Sequence, residues 1–303
     1  MFIGLCVTCI LYGITTLQTF NYIQTYKEDP PLLKAMVSAV WVAETLQTIF
    51  SIQYMYMYVI RHFGDVVFMS RIYWSGGVAL FFGIVVELIA QSFYIRRIWI
   101  LSGRSVTTTA PLAFLVVCRF GFGTATSALG YIVPTWAILV VDKTAVMTVS
   151  VGQGCSAIVD IIMASILIYY LRQGRGCCNR SDNMLTLLII YVVNTGALTS
   201  VFSILVAIMF GAQHRTLLFL SLSHIEYKLY ANSFLGSLNV RQYIRRHGGN
   251  WTYPAMSLLA RPPTAAAPSS GIEVTVHQET QMMNDELNYL ESDIALEFSR
   301  GKV

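Results

Sequence analysis

The sequence is poor in charge. Asp, Glu, Lys and Arg make up only 12% of its 303 residues, well below the roughly 25% that is usual in a soluble domain. Hydrophobic residues make up 55%, and the mean hydropathy is +0.59. This composition excludes an ordinary soluble enzyme and an intrinsically disordered chain. The net charge of +4 is small and dispersed, so a nucleic-acid-binding protein is excluded as well.

Spacings typical of disulfide frameworks, metal sites and catalytic motifs are also missing. The five histidines are scattered, and the cysteines have no zinc-ligand spacing. Neither a hydrolase nucleophile elbow nor a phosphate-binding loop is present. A lone lysine in an apolar run, Lys228, does not by itself indicate a retinal-like aldehyde. We therefore predict no metal, no cofactor and no enzymatic activity.

Two of the six cysteines differ from the others in their setting. Cys6, Cys9, Cys118 and Cys155 lie within apolar runs, where a free cysteine acts as a small apolar side chain. Cys177 and Cys178 are adjacent in a basic loop between Arg172 and Arg180. They are candidates for S-palmitoylation, with plain reduced thiols as the alternative.

Seven apolar runs are long enough to cross the roughly 30 Å of a bilayer core as helices, which takes about 20 residues each. They cover approximately residues 2–23, 35–60, 75–95, 110–133, 146–171, 184–210 and 216–238. Charged residues, prolines and glycines separate them, as helix ends require. The sequence therefore predicts an all-α, polytopic membrane protein, a seven-transmembrane-helix bundle over residues 1–246.

The connections between these runs predict the orientation. With the N-terminus outside, the inner connections, together with the basic residues just after the seventh run, hold eleven Lys and Arg residues, and the outer connections hold four. Cytoplasmic loops carry the excess of Lys and Arg in membrane proteins. We expect the N-terminus outside and the C-terminus cytoplasmic, in the plasma membrane or an endomembrane. The sequons at Asn179 and Asn250 then face the cytoplasm and should carry no glycan.

Residues 247–303 differ from the rest in composition. A Pro-, Ala- and Ser-rich stretch at 261–271 is typical of a linker. From residue 248 on, the sequence contains seven acidic and three basic residues. Apolar residues recur at helical spacing from Met283 to Phe298. We expect a cytoplasmic acidic tail that is mostly disordered. An amphipathic helix over 279–299 that docks a cytoplasmic partner is the alternative.

Six charged residues lie inside the predicted spans, where a charge costs at least about 2.5 kcal/mol on insertion scales. Some share a helix face with other polar residues: Gln47 follows Glu44 by three positions, and Gln91 follows Glu87 by four. Such faces should turn inward, with Arg119 paired to Glu87 or Asp160. The candidate intramembrane polar or ligand-cavity residues are Glu44, Gln47, Glu87, Gln91, Arg119, Asp160, Asn194, His224, Glu226, Lys228 and Asn232.

Three interpretations of these charges remain open at this point. Interhelical pairs can simply stabilise packing and register, the charges can line a water- or ligand-filled cavity, or the carboxyl groups can form a proton or ion relay. Glu226 and Lys228 lie about 200° apart around one helix, so their partners must come from other helices.

Residues 1 to about 246 resemble a known family, most strongly over residues 155–241. The residues that carry the resemblance are Asp160, Tyr169-Tyr170-Leu171, Ser181-Asp182, Asn194-Thr195-Gly196, Thr199-Ser200, and the run from Lys228 through Tyr230, Asn232 and Ser233 to Arg241. They are similar to the signature of a basidiomycete fungal family of seven-helix membrane proteins, known as domain of unknown function 6534. The resemblance implies the fold and a membrane location. It implies no activity, because the family has none assigned.

Two classes of function follow from this organisation. A receptor-like or sensory bundle that binds a small-molecule or peptide ligand is favoured, because an outside N-terminus, a basic inner face and an acidic tail are typical of proteins that signal inward. The alternative is a small-solute or proton-coupled transporter, although paired halves and interrupted helices are missing. An intramembrane enzyme ranks third. In every case the lipid bilayer is a partner.

Overall fold

The computed structural model describes residues 1–139, 141–173, 196–210 and 218–247. Within these ranges the chain forms nine α-helices. They are α1 Phe2–Thr25, α2 Pro31–Tyr56, α3 Val66–Ser70, α4 Trp74–Leu101, α5 Val106–Ile132, α6 Trp136–Leu139, α7 Lys143–Gln173, α8 Gly196–Phe210 and α9 Leu218–His247. A π-helical turn, Met57–Arg61, extends α2. The described residues contain no strand, only an isolated bridge between Arg71 and Thr135.

Five of these helices are long and apolar enough to cross a membrane: α1, α2 with its π-helical turn, α4, α5 and α7. Large apolar side chains such as Ile3, Leu17 and Phe114 are exposed on them, as expected for surfaces in contact with lipid. The predicted all-α, multi-pass membrane architecture is thereby confirmed for five spans. Parts of the predicted sixth and seventh runs, and the tail after residue 247, lie outside the described residues.

Local sequence explains where several helices begin and end. Pro31 occupies the first position of α2, where a missing N–H does no harm. The Asp65 carboxylate caps α3 by accepting from two backbone N–H groups. α4 continues to Leu101, past the predicted end at residue 95, and stops where Gly103 and Arg104 take positive φ angles of 65° and 67°.

The most polar long helix, α9, lies inside the bundle. It packs against α1, α2 and α4, and its side chains also reach α7 and α8. Phe234 and Leu235 are fully buried in a core shared with α1, α2 and α4. A second core joins α4, α5 and α7 around Ile98 and Val159. Because α9 is surrounded by other helices, its charges face protein instead of lipid.

Two connections close one end of the bundle, the end where α4, α7 and α9 begin. The backbone N–H of Ile72 donates to the carbonyl oxygen of Pro134 at 3.2 Å, beside the bridge between Arg71 and Thr135. The hydroxyl of Tyr58 donates to the carbonyl oxygen of Arg71 at 2.7 Å. The α3–α4 and α5–α6 connections are thus tied to each other and to α2.

Candidate functional site

The polar residues within the helices form two clusters that meet on α9. The lysine cluster comprises Glu44, Gln47 and Thr48 of α2 and His224 and Lys228 of α9. The carboxylate cluster comprises Glu87 and Gln91 of α4, Arg119 of α5, Ser156 and Asp160 of α7, Ser203 of α8, and Glu226 and Tyr230 of α9. Every one of these residues is buried.

An ion pair between α2 and α9 is the centre of the lysine cluster. Lys228 Nζ lies 2.7 Å from Glu44 Oε2, and the two side chains are 1% and 0% exposed. The ammonium also donates to Thr48 Oγ1 at 2.9 Å and to the backbone carbonyl of Glu44 at 3.2 Å. These three acceptors match the three donors of a lysine. Thr48 lies one helical turn after Glu44, a spacing from which its role could have been predicted.

Aromatic rings and an imidazole surround this ion pair. The ring centroid of Tyr12 in α1 lies 5.4 Å from Lys228 Nζ, within the range of a cation–π interaction. His224 stacks on Tyr54 with the centroids 5.9 Å apart, and its Nδ1 lies 3.5 Å from Gln47 Nε2. Three helices therefore converge on a single buried ammonium group.

The carboxylate cluster is organised by Glu87. Arg119 Nη2 lies 2.8 Å from Glu87 Oε2, so the structure pairs Arg119 with the first of its two expected partners. The other carboxylate oxygen accepts from Ser156 at 2.8 Å and from Gln91 at 3.3 Å. A Cβ atom on Gly123 would lie 2.8 Å from Arg119 Nη1. The missing side chain at this position therefore leaves room for the guanidinium group.

Tyr230 connects Glu87 to Asp160. Its hydroxyl lies 3.1 Å from Ser156 Oγ and 2.5 Å from Asp160 Oδ2. The chain Glu87–Ser156–Tyr230–Asp160 contains three short oxygen–oxygen contacts, but the two hydroxyls carry only two protons. All three contacts become hydrogen bonds only when one of the two carboxyl groups also carries a proton. That proton can sit on Asp160 or on Glu87, with the direction of every hydrogen bond reversed.

Glu226 adds a third carboxyl group. It accepts a hydrogen bond from Ser203 of α8, and its Oε2 has no hydrogen-bond partner among the described residues. Glu226 lies within electrostatic range of Glu87, Asp160 and Arg119. Three carboxyl groups thus face one guanidinium, an imbalance that is costly in a low-dielectric interior unless protons or a cation reduce it. Ser203 follows Thr199 by four positions, so helical spacing places it on the same face as another buried hydroxyl, but this spacing does not indicate Glu226 as its partner.

Two asparagines bind α9 to α1. Asn232 Nδ2 donates to the carbonyl oxygen of Leu11 at 3.2 Å, and Asn239 Nδ2 donates to that of Gln18 at 2.9 Å. The two are seven residues apart, which is two turns along the same helix face. Asn232 was a sequence-predicted candidate, and the structure places it beside the lysine cluster, where it also donates to the carbonyl oxygen of Lys228 at 2.9 Å.

Three cavities adjoin the clusters. The end cavity, about 590 Å³, lies at the closed end of the bundle between α4, α5, α7 and α9, with Trp136 on its wall. The middle cavity, about 280 Å³, reaches Arg119. Both are lined by Gln153 and Tyr227, so they adjoin. The Asp160 cavity, about 350 Å³, is lined by Asp160 and Tyr230 and lies toward the other end.

Some sequence-predicted residues are not described by the structure. Asn194, Cys177 and Cys178 lie outside the described residues, so their roles stay predictions. Among the residues that the structure describes, no group of three or more His, Cys, Asp or Glu side chains is arranged to hold a metal ion.

Comparison with known proteins agrees with the resemblance found in the sequence. Residues 156–243 match a family model described as "Family of unknown function (DUF6534)". The match covers the part of α7 that carries Asp160 and the part of α9 that carries Lys228 and Tyr230. No curated protein and no solved structure matches the chain significantly. The class defined by fold and comparison is therefore a multi-pass helical membrane protein, and its segment 156–243 is similar to this family of unknown function.

Proposed function

We propose that the chain is a receptor-like or sensory seven-helix membrane protein without catalytic activity. In this proposal α8 is part of the sixth span and α9 forms the seventh. The N-terminus lies outside and the tail is cytoplasmic, because the inner connections hold the excess of Lys and Arg. With this orientation the end cavity lies in the outer half of the bundle.

The observation that carries the proposal is the position of α9. Its first turns line the end cavity with Phe219, Leu220 and Ser223. Its middle supplies Lys228 to the lysine cluster and Tyr230 to the carboxylate cluster. The tail follows directly after it. A ligand in the end cavity would therefore contact the helix that leads to the cytoplasmic tail.

Polar contacts favour two discrete positions of α9 over continuous movement. The polar contacts of Lys228, Glu226 and Tyr230 join α9 to three different helices. Each buried donor or acceptor must find a new partner when the helix shifts. A ligand acts on such an element by binding one position better than the other. Docking of a partner by the tail and palmitoylation of Cys177 and Cys178 remain parts of this proposal.

The test is a ligand screen followed by a transport measurement. The full chain in lipid nanodiscs is screened by thermal unfolding against lipids, peptides and small metabolites, since a bound ligand raises the unfolding temperature with its concentration. The same ligand is then offered to vesicles that contain the protein. A receptor binds it saturably without moving it across the membrane. Movement of the ligand into the vesicles contradicts the proposal.

A proton-coupled carrier of small solutes is the second candidate. The chain Glu87–Ser156–Tyr230–Asp160 favours it, because a proton on either of its two carboxyl groups completes its hydrogen bonds and Asp160 lines a cavity. In vesicles with a pH gradient, a carrier loses solute-dependent proton flux in Asp160→Asn and Tyr230→Phe. Ser165→Ala is the matched control, because Ser165 is exposed on α7 and bonds only its own helix. Equal flux in all variants contradicts this candidate.

A further inference from the structure

The end cavity and the middle cavity form a cleft with apolar walls and a polar inner end. Leu80, Val149 and Tyr227 line both cavities. Phe210, Phe219 and Leu220 add apolar wall at the end cavity. Arg119 lines the middle cavity, and Gln153 lines both. Small-molecule sites are typically apolar with a few polar groups that orient the ligand.

The inner end of this cleft has one unused donor and one unused acceptor. Arg119 is 3% exposed and Gln153 is 7% exposed. Arg119 Nε and Gln153 Oε1 have no hydrogen-bond partner among the described residues. Buried polar atoms in folded proteins nearly always have a partner. A ligand group that accepts a hydrogen bond from Arg119 Nε and donates one to Gln153 Oε1 would give both atoms a partner.

The pairing of Arg119 and the few acceptors that line the cleft argue against a charged ligand group. The guanidinium is already paired with Glu87 at 2.8 Å, and Glu226 lies within electrostatic range. A carboxylate would add a further negative charge to a cluster that already has three carboxyl groups and one guanidinium. Glu226 does not line the cleft, so an ammonium group there would have Gln153 Oε1 as its one unpaired side-chain acceptor among the described lining residues, and it would meet the donors of Arg119.

We infer that the cleft binds an uncharged amphipathic molecule, with an apolar body along the walls and one hydroxyl group between Arg119 and Gln153. A hydroxyl has one donor and two acceptor lone pairs. It therefore complements the Gln153 amide in either orientation of its oxygen and nitrogen. This inference rests on the proposed function and specifies the chemical class of its ligand.

Four octyl compounds test the class: 1-octanol, octanoate, octylammonium and octane. Each is titrated into nanodiscs that hold the full chain, and the saturable rise in unfolding temperature is measured. We expect 1-octanol to bind at least about tenfold more tightly than octane, because one well-placed hydrogen bond supplies about that ratio and the hydroxyl group makes two. Octanoate and octylammonium should give no saturable rise.

Two variants locate the binding. Gly76 lines the end cavity, and a Cβ atom there would have no neighbour within 4 Å, so Gly76→Leu fills the cavity and should abolish the saturable rise. The matched control is Gly121→Leu, because Gly121 has equal free space but is exposed on α5. Gln153→Met should lower the affinity for 1-octanol about tenfold, because it removes one of the two hydrogen bonds of the hydroxyl group. An unfolding temperature without ligand close to that of the wild-type chain shows that each variant folds.

Several outcomes overturn the inference. They are tighter binding of octanoate or octylammonium than of 1-octanol, equal binding of 1-octanol and octane, unchanged binding in Gly76→Leu, or no saturable rise with any probe. None of these contradicts the proposed function, which fails on a different result. It fails when the ligand found in the broad screen is itself carried across the vesicle membrane.

Discussion

The ion pair between Lys228 and Glu44 can be tested by a double-mutant cycle. Lys228→Met removes the ammonium and leaves a carboxylate that is 0% exposed, with its Oε1 already lacking a hydrogen-bond partner among the described residues. Removing one partner of a buried pair costs about 3–5 kcal/mol. We expect a loss of this size in the free energy of unfolding, and a similar loss for Glu44→Leu, which leaves the ammonium unpaired.

The double variant should be far more stable than the sum of the two losses. With both charges replaced by apolar side chains, Thr48 keeps its present hydrogen bond, which it donates to the backbone carbonyl oxygen of residue 44 at 2.8 Å. Such replacements are often neutral or stabilising by about 1–4 kcal/mol. We therefore expect the free energy of unfolding of the Lys228→Met/Glu44→Leu chain to be no more than about 1 kcal/mol below that of the wild-type chain, which corresponds to a coupling of at least about 5 kcal/mol.

The assay is reversible unfolding of the full chain in lipid–detergent micelles, for the wild type, both single variants and the double variant. Lys34→Met is the control, because Lys34 is exposed in the first turn of α2 and its side chain donates to the backbone carbonyl of Lys27 in the α1–α2 connection. It should change the free energy of unfolding by less than about 0.5 kcal/mol. Additive losses in the double variant would refute the ion pair, as would a loss below about 1 kcal/mol in either single variant.

Three further predictions concern packing, the hydrogen-bonded chain and topology. Gly83→Ala should lower the free energy of unfolding by about 1–3 kcal/mol, because its Cβ would overlap the Tyr227 ring. Gly13→Ala, with no neighbour within 4 Å, should be neutral or stabilising in the same unfolding assay. Tyr230→Phe should cost about 1–3 kcal/mol by leaving buried acceptors unpaired, whereas no loss would contradict its bridging role. Expression in glycosylating cells should leave both sequons unmodified, and a glycan on Asn250 would contradict a cytoplasmic tail.

Much of the candidate site could be predicted from helical spacing. Glu44 and Gln47, or Glu87 and Gln91, share faces because a helix repeats every 3.6 residues, and the cost of burying a charge in lipid turns those faces inward. The partners of Tyr230 and Ser203 were harder to predict, because their positions one turn after Glu226 and Thr199 indicate a polar helix face but not which residue of another helix it meets. Their roles depend on neighbouring helices that bring Ser156, Asp160 and Glu226 within reach.

The sequence by itself determined the environment of this protein and the inward faces of its helices, because apolar run length and helical period act within one segment. Only the tertiary structure decided which charges pair. Lys228 meets Glu44, which is 184 residues away in the sequence, and Arg119 takes Glu87 instead of Asp160. Such choices depend on how far each helix is rotated and at what depth it packs. The same relative placement of the helices creates the cleft beside Arg119, which no single segment contains.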